Sequence, residues 1–292
     1  MRLGVRVPAT TANVGSGFDC VGIAIDWYDE LELEVGGAGT ALTITGEGAG
    51  QVPLDESHLV VASILRGLEE WGDGRLPGLT LRSHNTIPHS RGLGSSASAI
   101  VAGLAFAWGI ARGGELDRVE LGRLASLLEG HADNAAAAVF GGATLGWISG
   151  GAVAINPLAV STDLRVRVWV PEFEVPTRGA RAVLPEQVSR TDAVAQAAAA
   201  ATLVLALGGR PELLLRGTDD RLHQPFRAAL MPTSHELMGR LRDAGVAAAI
   251  SGAGPTVFAI GTPEQLHLAA QVPHEGFAAH DLALGRGVEL TA

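Results

Sequence analysis

The chain has 292 residues, enough for two domains and a substantial core, and its 47% apolar and 18% charged residues are the balance of a globular protein. Its formal charge of −10 argues against a nucleic-acid surface, because a phosphate backbone demands clustered cations. All 21 basic residues are arginine, which excludes a Walker-type phosphate loop, built around a lysine, and Schiff-base chemistry.

The opening segment MRLGVRVPATTAN lacks the apolar centre of a secretory signal and reads as a strand leading into a loop. A lone cysteine, Cys20, cannot form an internal disulfide and fits a reducing cytoplasm, the expected location. Alternation predicts strands over 31–35 and 41–45, and apolar periodicity predicts helices near 58–70, 95–111 and 117–129. Composition changes near Asn156-Pro157, after the glycine-rich stretch 141–151, and the alternating run 164–170 opens a new set of elements. The domain boundary is therefore placed near residue 160, giving 1–160 and 161–292. The second part reads as helices at 190–207, 211–216 and 233–244, strands at 246–250 and 255–260, a helix at 263–270 and a closing strand. Strands come in pairs, without regular strand-helix alternation, which predicts an α+β fold. The two longest apolar runs, 99–111 and 197–207, are shorter than the roughly 18 residues a membrane span requires, so no membrane partner is expected.

The most informative stretch is Ile87-Pro88-His89-Ser90-Arg91-Gly92-Leu93-Gly94-Ser95-Ser96-Ala97-Ser98. Small residues there let several main-chain N–H groups converge at the start of an apolar helix, where free donors and the positive end of the dipole favour a phosphate. Hydroxyls such as Ser95 and Ser96 are free to ligate a hard cation. Two rival readings stay open on these residues alone. One is a dinucleotide fingerprint, Gly92-x-Gly94-x-x-Ala97, although the preceding LRSHNT is too polar for a buried parallel strand. The other is a glycine-rich turn with a serine cap opening a helix.

Three motifs in order resemble the GHMP kinase superfamily: Pro8-Ala9-Thr10-Thr11-Ala12-Asn13-Val14-Gly15, the Pro88 to Ser98 loop, and Ser251-Gly252-Ala253-Gly254-Pro255-Thr256. Within it the chain is similar to the homoserine kinase branch through Gly15-x-Gly17-Phe18-Asp19, Glu129-Gly130-His131-Ala132-Asp133-Asn134, Thr177-x-x-Ala180-Arg181-x-x-Leu184-Pro185 and Gln224-Pro225-x-Arg227. The resemblance implies an N-terminal domain like domain 2 of ribosomal protein S5, a ferredoxin-like C-terminal domain, and transfer of the γ-phosphoryl of ATP to the hydroxyl of L-homoserine. It implies nucleotide contacts along Pro88, Ser90, Arg91, Gly92, Leu93, Gly94, Ser95, Ser96, Ala97 and Ser98, with Mg²⁺ held by Ser96 and Glu129. Catalytic positions are then Ser96, Glu129, Asn13 and Asn134. Arg181 and Arg227 match carboxylate-binding arginines, a role their planar fork suits. Asp19 matches the partner of the ammonium group, and Asn13, His131, Asn134, Thr177 and Gly252 match other substrate positions. His131 is read as a binding residue, and phosphoryl transfer tolerates the lack of a side-chain base because it demands mostly alignment and charge neutralisation. In Ser57-His58-Leu59-Val60, His58 stands where relatives often carry asparagine near the adenine pocket. A different small-alcohol acceptor such as mevalonate, or a silent binding protein of the same fold, are the competing functions; a homodimer is left open.

Overall fold

The computed structural model describes residues 1–75 and 78–291, apart from the side chains of Thr177 and Arg178. The first half comprises β1 (Arg2–Asn13), β2 (Gly17–Val35), β3 (Thr40–Gly46), α1 (Leu59–Trp71), β4 (Leu79–Asn85), α2 (Ser95–Ala111), α3 (Arg118–Glu129), α4 (Asp133–Phe140), β5 (Ala143–Ser149) and β6 (Ala152–Leu158). The second comprises β7 (Arg165–Pro171), α5 (Thr177–Ala182), α6 (Arg190–Leu207), α7 (Leu214–Gly217), α8 (Gln224–Arg227), α9 (Pro232–Asp243), β8 (Ala248–Ile250), β9 (Val257–Gly261), α10 (Pro263–Ala270), β10 (Phe277–Leu282) and β11 (Glu289–Thr291).

Two sheets organise these elements, as the α+β expectation requires. The first has the order β11-β1-β2-β4-β3, with β5 branching from β2 and β6 pairing with β5; the second runs β10-β7-β9-β8, antiparallel throughout. In chain order that second sheet is 4-1-3-2 on a β-α-β-β-α-β frame, the ferredoxin-like arrangement. The expected boundary at 160 falls between β6 and β7, and the last strand, β11, returns to pair with β1.

Three apolar clusters hold the layers. One packs α1, α2 and α3 on the first sheet, with Phe106, Leu104 and Ile64 at its centre. Another joins the two sheets, setting Val21, Ile23 and Ile25 of β2 with Val166 and Val168 of β7, Phe258 of β9 and Leu203 of α6. The third packs α9 and α10 on the outer face of the second sheet around Trp169. Each fully buried aliphatic side chain contributes about 1.5–3 kcal/mol, so the inter-sheet cluster alone couples the two halves firmly.

The sheet-joining cluster also explains what alternation misses in β2. Residues 21–25 (VGIAI) are buried on both faces, so they show no period of two. A register shift at Pro8/Ala9 then breaks the pattern again before 31–35. Helix α4 escapes a periodic reading for a related reason: it is eight residues long and, from Ala135 through Val139, entirely buried.

Candidate active site

The three motifs that are far apart in sequence meet at one junction. The hydroxyl of Ser251 lies 2.6 Å from the Gly92 carbonyl and 2.8 Å from Thr11 Oγ1. One hydroxyl hydrogen cannot serve both, so Ser251 donates to Gly92 and receives from Thr11. Gly252 N–H donates to the Ala12 carbonyl, and Thr256 N–H to that of Arg91. The close approach fixes residue type: a Cβ on Gly92 would strike the Ser251 carbonyl, and one on Gly94 would strike Thr10 Oγ1. Both glycines sit at positive φ, 76° and 71°.

Gly94 is also the N-cap of α2, and no side chain caps that helix. The first helical bond runs from Ser98 N–H to the Gly94 carbonyl, so the N–H groups of Ser95, Ser96 and Ala97 stay free at the positive end of the dipole. The serine-capped alternative is thereby replaced: glycine caps, and the serines begin the helix.

Two cavities meet at this turn, sharing Ser90, Ser95 and Ser96. The smaller, about 160 Å³, is lined by Asn13, Asp19, Gly92, Gly94, Glu129, His131, Asn134, Arg181, Arg227 and Gly252, which brings together most of the sequence-predicted site residues. The larger, about 300 Å³, has apolar walls from Leu31, Val60 and Ala99 and contains His58, Asn85 and Asp29. His58 Nδ1 is buried without a partner, and burial, with His89 nearby, lowers its basicity, so the ring is neutral.

Several expectations are corrected. Arg91 does not face the phosphate position: its guanidinium is committed to the carbonyls of His89, Pro171 and Glu172 and to Glu174. The side chains of Pro88 and Leu93 are buried and line neither cavity, and Ala97, whose side chain is also buried, offers only its main-chain N–H. Ser98 lines the larger cavity, but its hydroxyl donates to the Pro8 carbonyl at 2.7 Å, with the Gly94 carbonyl 3.1 Å away. The side chain of Thr177 lies outside the described residues.

In the smaller cavity, Asn13 donates from Nδ2 to the Gly252 carbonyl and accepts the Asp19 N–H at Oδ1, which fixes its amide orientation and leaves one N–H free. Asn134 Oδ1 meets Thr10 Oγ1 at 2.7 Å, leaving its NH₂ free. Asn13, Asp19 and Ser90 hold left-handed backbone (φ 71°, 56° and 56°), strain of order 1–3 kcal/mol each that clusters here. Asp19 and Arg181, read as separate grips on a zwitterion, pair with each other through two bonds of 2.8 and 3.0 Å. Ser96 Oγ stands 3.0 Å from Glu129 Oε2. Burial raises the Glu129 carboxyl above its ordinary range, with His131 and Ser96 opposing. His131 Nδ1 lies 2.7 Å from Asp133 Oδ1 and its Nε2 3.9 Å from Glu129. Sequence reasoning gave no place to Thr10, Ser251 or His223; the first two lie inside the quoted motifs, and His223 directly precedes Gln224-Pro225.

A buried carboxylate facing a hydroxyl is a hard-oxygen pair suited to Mg²⁺. Among the described residues no three acidic, histidine or cysteine side chains converge on a metal position. A helix-end anion cradle, a cation-seeking carboxylate and a small cup bearing both charges together define a small-molecule kinase.

The comparisons agree. Family models described as the GHMP kinases N terminal domain and the GHMP kinases C terminal match residues 58–142 and 198–277. A homoserine kinase from Cutibacterium acnes is 54% identical over 97% of both chains, and one from Mycolicibacterium smegmatis is 46% identical over 98% of this chain and 94% of its own. A crystal structure of homoserine kinase from Cytophaga hutchinsonii superposes with a TM-score of 0.86 at 32% identity, over 99% of this chain and 97% of the other. The chain belongs to the GHMP kinases, in their homoserine kinase family.

Proposed function

We propose that the chain transfers the γ-phosphoryl of ATP to the side-chain hydroxyl of L-homoserine, giving O-phospho-L-homoserine and ADP. The observation that carries this reading is one junction with uncapped helix donors and the Ser96–Glu129 pair on one side, and Asp19, Arg181 and Arg227 on the other. The larger cavity takes the base, with Leu31, Val60 and Ala99 against its faces, and the free N–H groups of Ser95, Ser96 and Ala97 take the phosphates. Ser96 and Glu129 would hold Mg²⁺, which when bound neutralises charge on the phosphate oxygens. Residues 1–160 thus carry the nucleotide side, and 161–292 supply both arginines.

Homoserine is a zwitterion, so its carboxylate goes to the arginines and its ammonium to Asp19. The Asp19–Arg181 pair mimics the same charge pattern; a zwitterion entering between them exchanges one ion pair for two. Asn134, anchored by Thr10, has its NH₂ free to orient the hydroxyl or the transferring phosphoryl. His131 sits between two carboxylates and holds a proton better than it removes one. The side chains therefore align reactants and spread charge, which a loose transition state chiefly requires. Two cationic grips with an ammonium partner favour an amino acid over mevalonate as acceptor.

The test is ATP consumption with homoserine, serine, threonine and mevalonate. Turnover with homoserine well above the others is expected; faster turnover with mevalonate, or none with any acceptor, would replace this reading.

A further inference from the structure

Behind the substrate cup lies the imidazole of His223, completely buried and stacked on Phe18 with ring centroids 5.0 Å apart. Its Nε2 is 3.0 Å from the Gly15 carbonyl oxygen, an acceptor with no hydrogen to give, so Nε2 carries the hydrogen and donates. Burial pulls the basicity of the ring below that of ordinary histidine. Asp220 pulls the other way, but its oxygens already accept the N–H groups of Leu222, His223 and Gln224. A neutral ring protonated at Nε2 presents a lone pair at Nδ1, and Arg227 Nη1 stands 3.3 Å from it.

Arg227 requires an orienting partner. Its side chain is only 2% exposed, and among the described residues it makes no ion pair; Nε donates to the Ala180 carbonyl at 2.9 Å, and Nη1 also reaches the Gly252 carbonyl at 3.2 Å. A carboxylate in the place of His223 would hold the guanidinium equally well but neutralise it. A neutral acceptor fixes its plane and leaves its charge for a ligand.

We propose that His223 is a positioning residue for Arg227: the Gly15 carbonyl fixes the Nε2–H tautomer, and the Nδ1 lone pair holds Nη1 so that the opposite edge of the fork faces the carboxylate of the amino-acid substrate. The inference rests on the homoserine reading above. The other tautomer, or an imidazolium, would aim N–H at N–H and turn the fork away. Because Gly15 lies in the β1–β2 turn, between Asn13 at the end of β1 and Asp19 near the start of β2, a single ring also ties the ammonium side of the cup to its carboxylate side.

Two substitutions separate the two contacts. His223→Asn keeps an acceptor oxygen near the Nδ1 position and gives up the donor to Gly15. His223→Gln reaches Gly15 with its amide and removes the acceptor beside Arg227. Steady-state kinetics on the full chain should show the homoserine KM of His223→Gln raised about tenfold or more, the worth of a hydrogen bond to a charged group, with the ATP KM unchanged. His223→Asn should recover most of that loss. An unaltered homoserine KM in His223→Gln, an equal rise in both KM values, or no recovery in His223→Asn would overturn the proposal. Should these variants fail to fold, long-range ¹H–¹⁵N correlation on the unsubstituted protein reads the tautomer directly; a hydrogen on Nδ1 at neutral pH overturns the role of His223. Arg227→Ala separates the two levels: an unchanged homoserine KM there overturns the carboxylate reading itself, whereas a loss there with none in His223→Gln overturns the role of His223 alone.

Discussion

Glu129 bears a burial cost that a cation held there, as proposed above, would remove. Burial raises its pKa above the ordinary carboxylate value, so the folded chain binds that proton more tightly than the unfolded chain. Stability from this group therefore falls as pH rises from the ordinary value through the raised one, and the deficit remains at neutral pH. Glu129→Gln should unfold at an equal or higher temperature than the parent at neutral pH without nucleotide or magnesium, while turnover drops about 10²-fold or more and loses its magnesium dependence. Melting curves and initial rates against magnesium check both halves; a clear drop in metal-free melting temperature would contradict the burial argument. His131 is displaced by a different balance. Burial alone would lower it, but the Asp133 bond and the neighbouring Glu129 outweigh burial and raise it above ordinary histidine. Its stabilising contribution is complete below the ordinary histidine value and is lost as pH climbs through the raised one. A base would contribute roughly 10²–10⁴ in rate and impose a pH limb. In single-turnover measurements across pH, His131→Gln is expected to retain transfer and change mainly homoserine affinity; collapse of the chemical step with loss of that limb would make His131 the base. The residue types at these positions were legible in the sequence, because the motifs present them locally. Their pairings were not: Asp19 and Arg181 are separated by 162 positions and Thr10 and Asn134 by 124, so neither pair leaves a local pattern.

Helix starts show how the chain divides structural from functional work. Asp117 caps α3 by accepting the N–H groups of Val119 and Glu120, Ser189 caps α6, and Thr262 forms a capping box with Gln265 at α10. Helix α2 starts on a left-handed glycine and leaves its first donors open to the cavities. Asp117→Ala should cost about 1 kcal/mol of stability and leave kinetic constants unchanged. Gly94→Ala should cost about 1–2 kcal/mol for backbone strain alone and, by driving Cβ into the Thr10 hydroxyl, displace Asn134 and the helix start together. Its ATP KM should rise and its turnover fall; parent-like kinetics would show that the Thr10–Asn134 contact does not matter. Helices whose ends carry such chemistry were the most legible elements, and α6 and α10 begin and end at the residues read from the sequence, 190–207 and 263–270. Strand β5 was hidden within the glycine-rich stretch 141–151 and β6 directly follows it; the pairing of β5 with β2 and of β6 with β5, not local propensity, makes them strands.

On the proposed reading the substrate touches both halves of the molecule at once. Motifs around residues 10–13, 90–98 and 251–256 are tied by Ser251, Gly252 and Thr256, and Gln196 of α6 reaches across to the Ser16 carbonyl and Asp220. Only this assembled state presents Asp19 and Glu129 opposite Arg181 and Arg227. A ligand that binds the assembled state stabilises it by mass action, about 2.7 kcal/mol at a hundredfold excess over its Kd, and suppresses opening wherever that opening would break the site. Homoserine alone should therefore slow amide exchange in three separated segments: at Asp19, at Asn134 and at Gly252, whose N–H groups bond to Asn13, Asp133 and Ala12 respectively. A non-hydrolysable nucleotide should instead protect the turn at Ser95 and Ser96 and the segment 57–60 beside the larger cavity, with a smaller effect at Asp19. Exchange followed by mass spectrometry on the intact chain distinguishes these patterns. Homoserine protection confined to 129–134 would mean that the amino acid binds the first half only, with the arginines of the second half serving the fold and not the substrate.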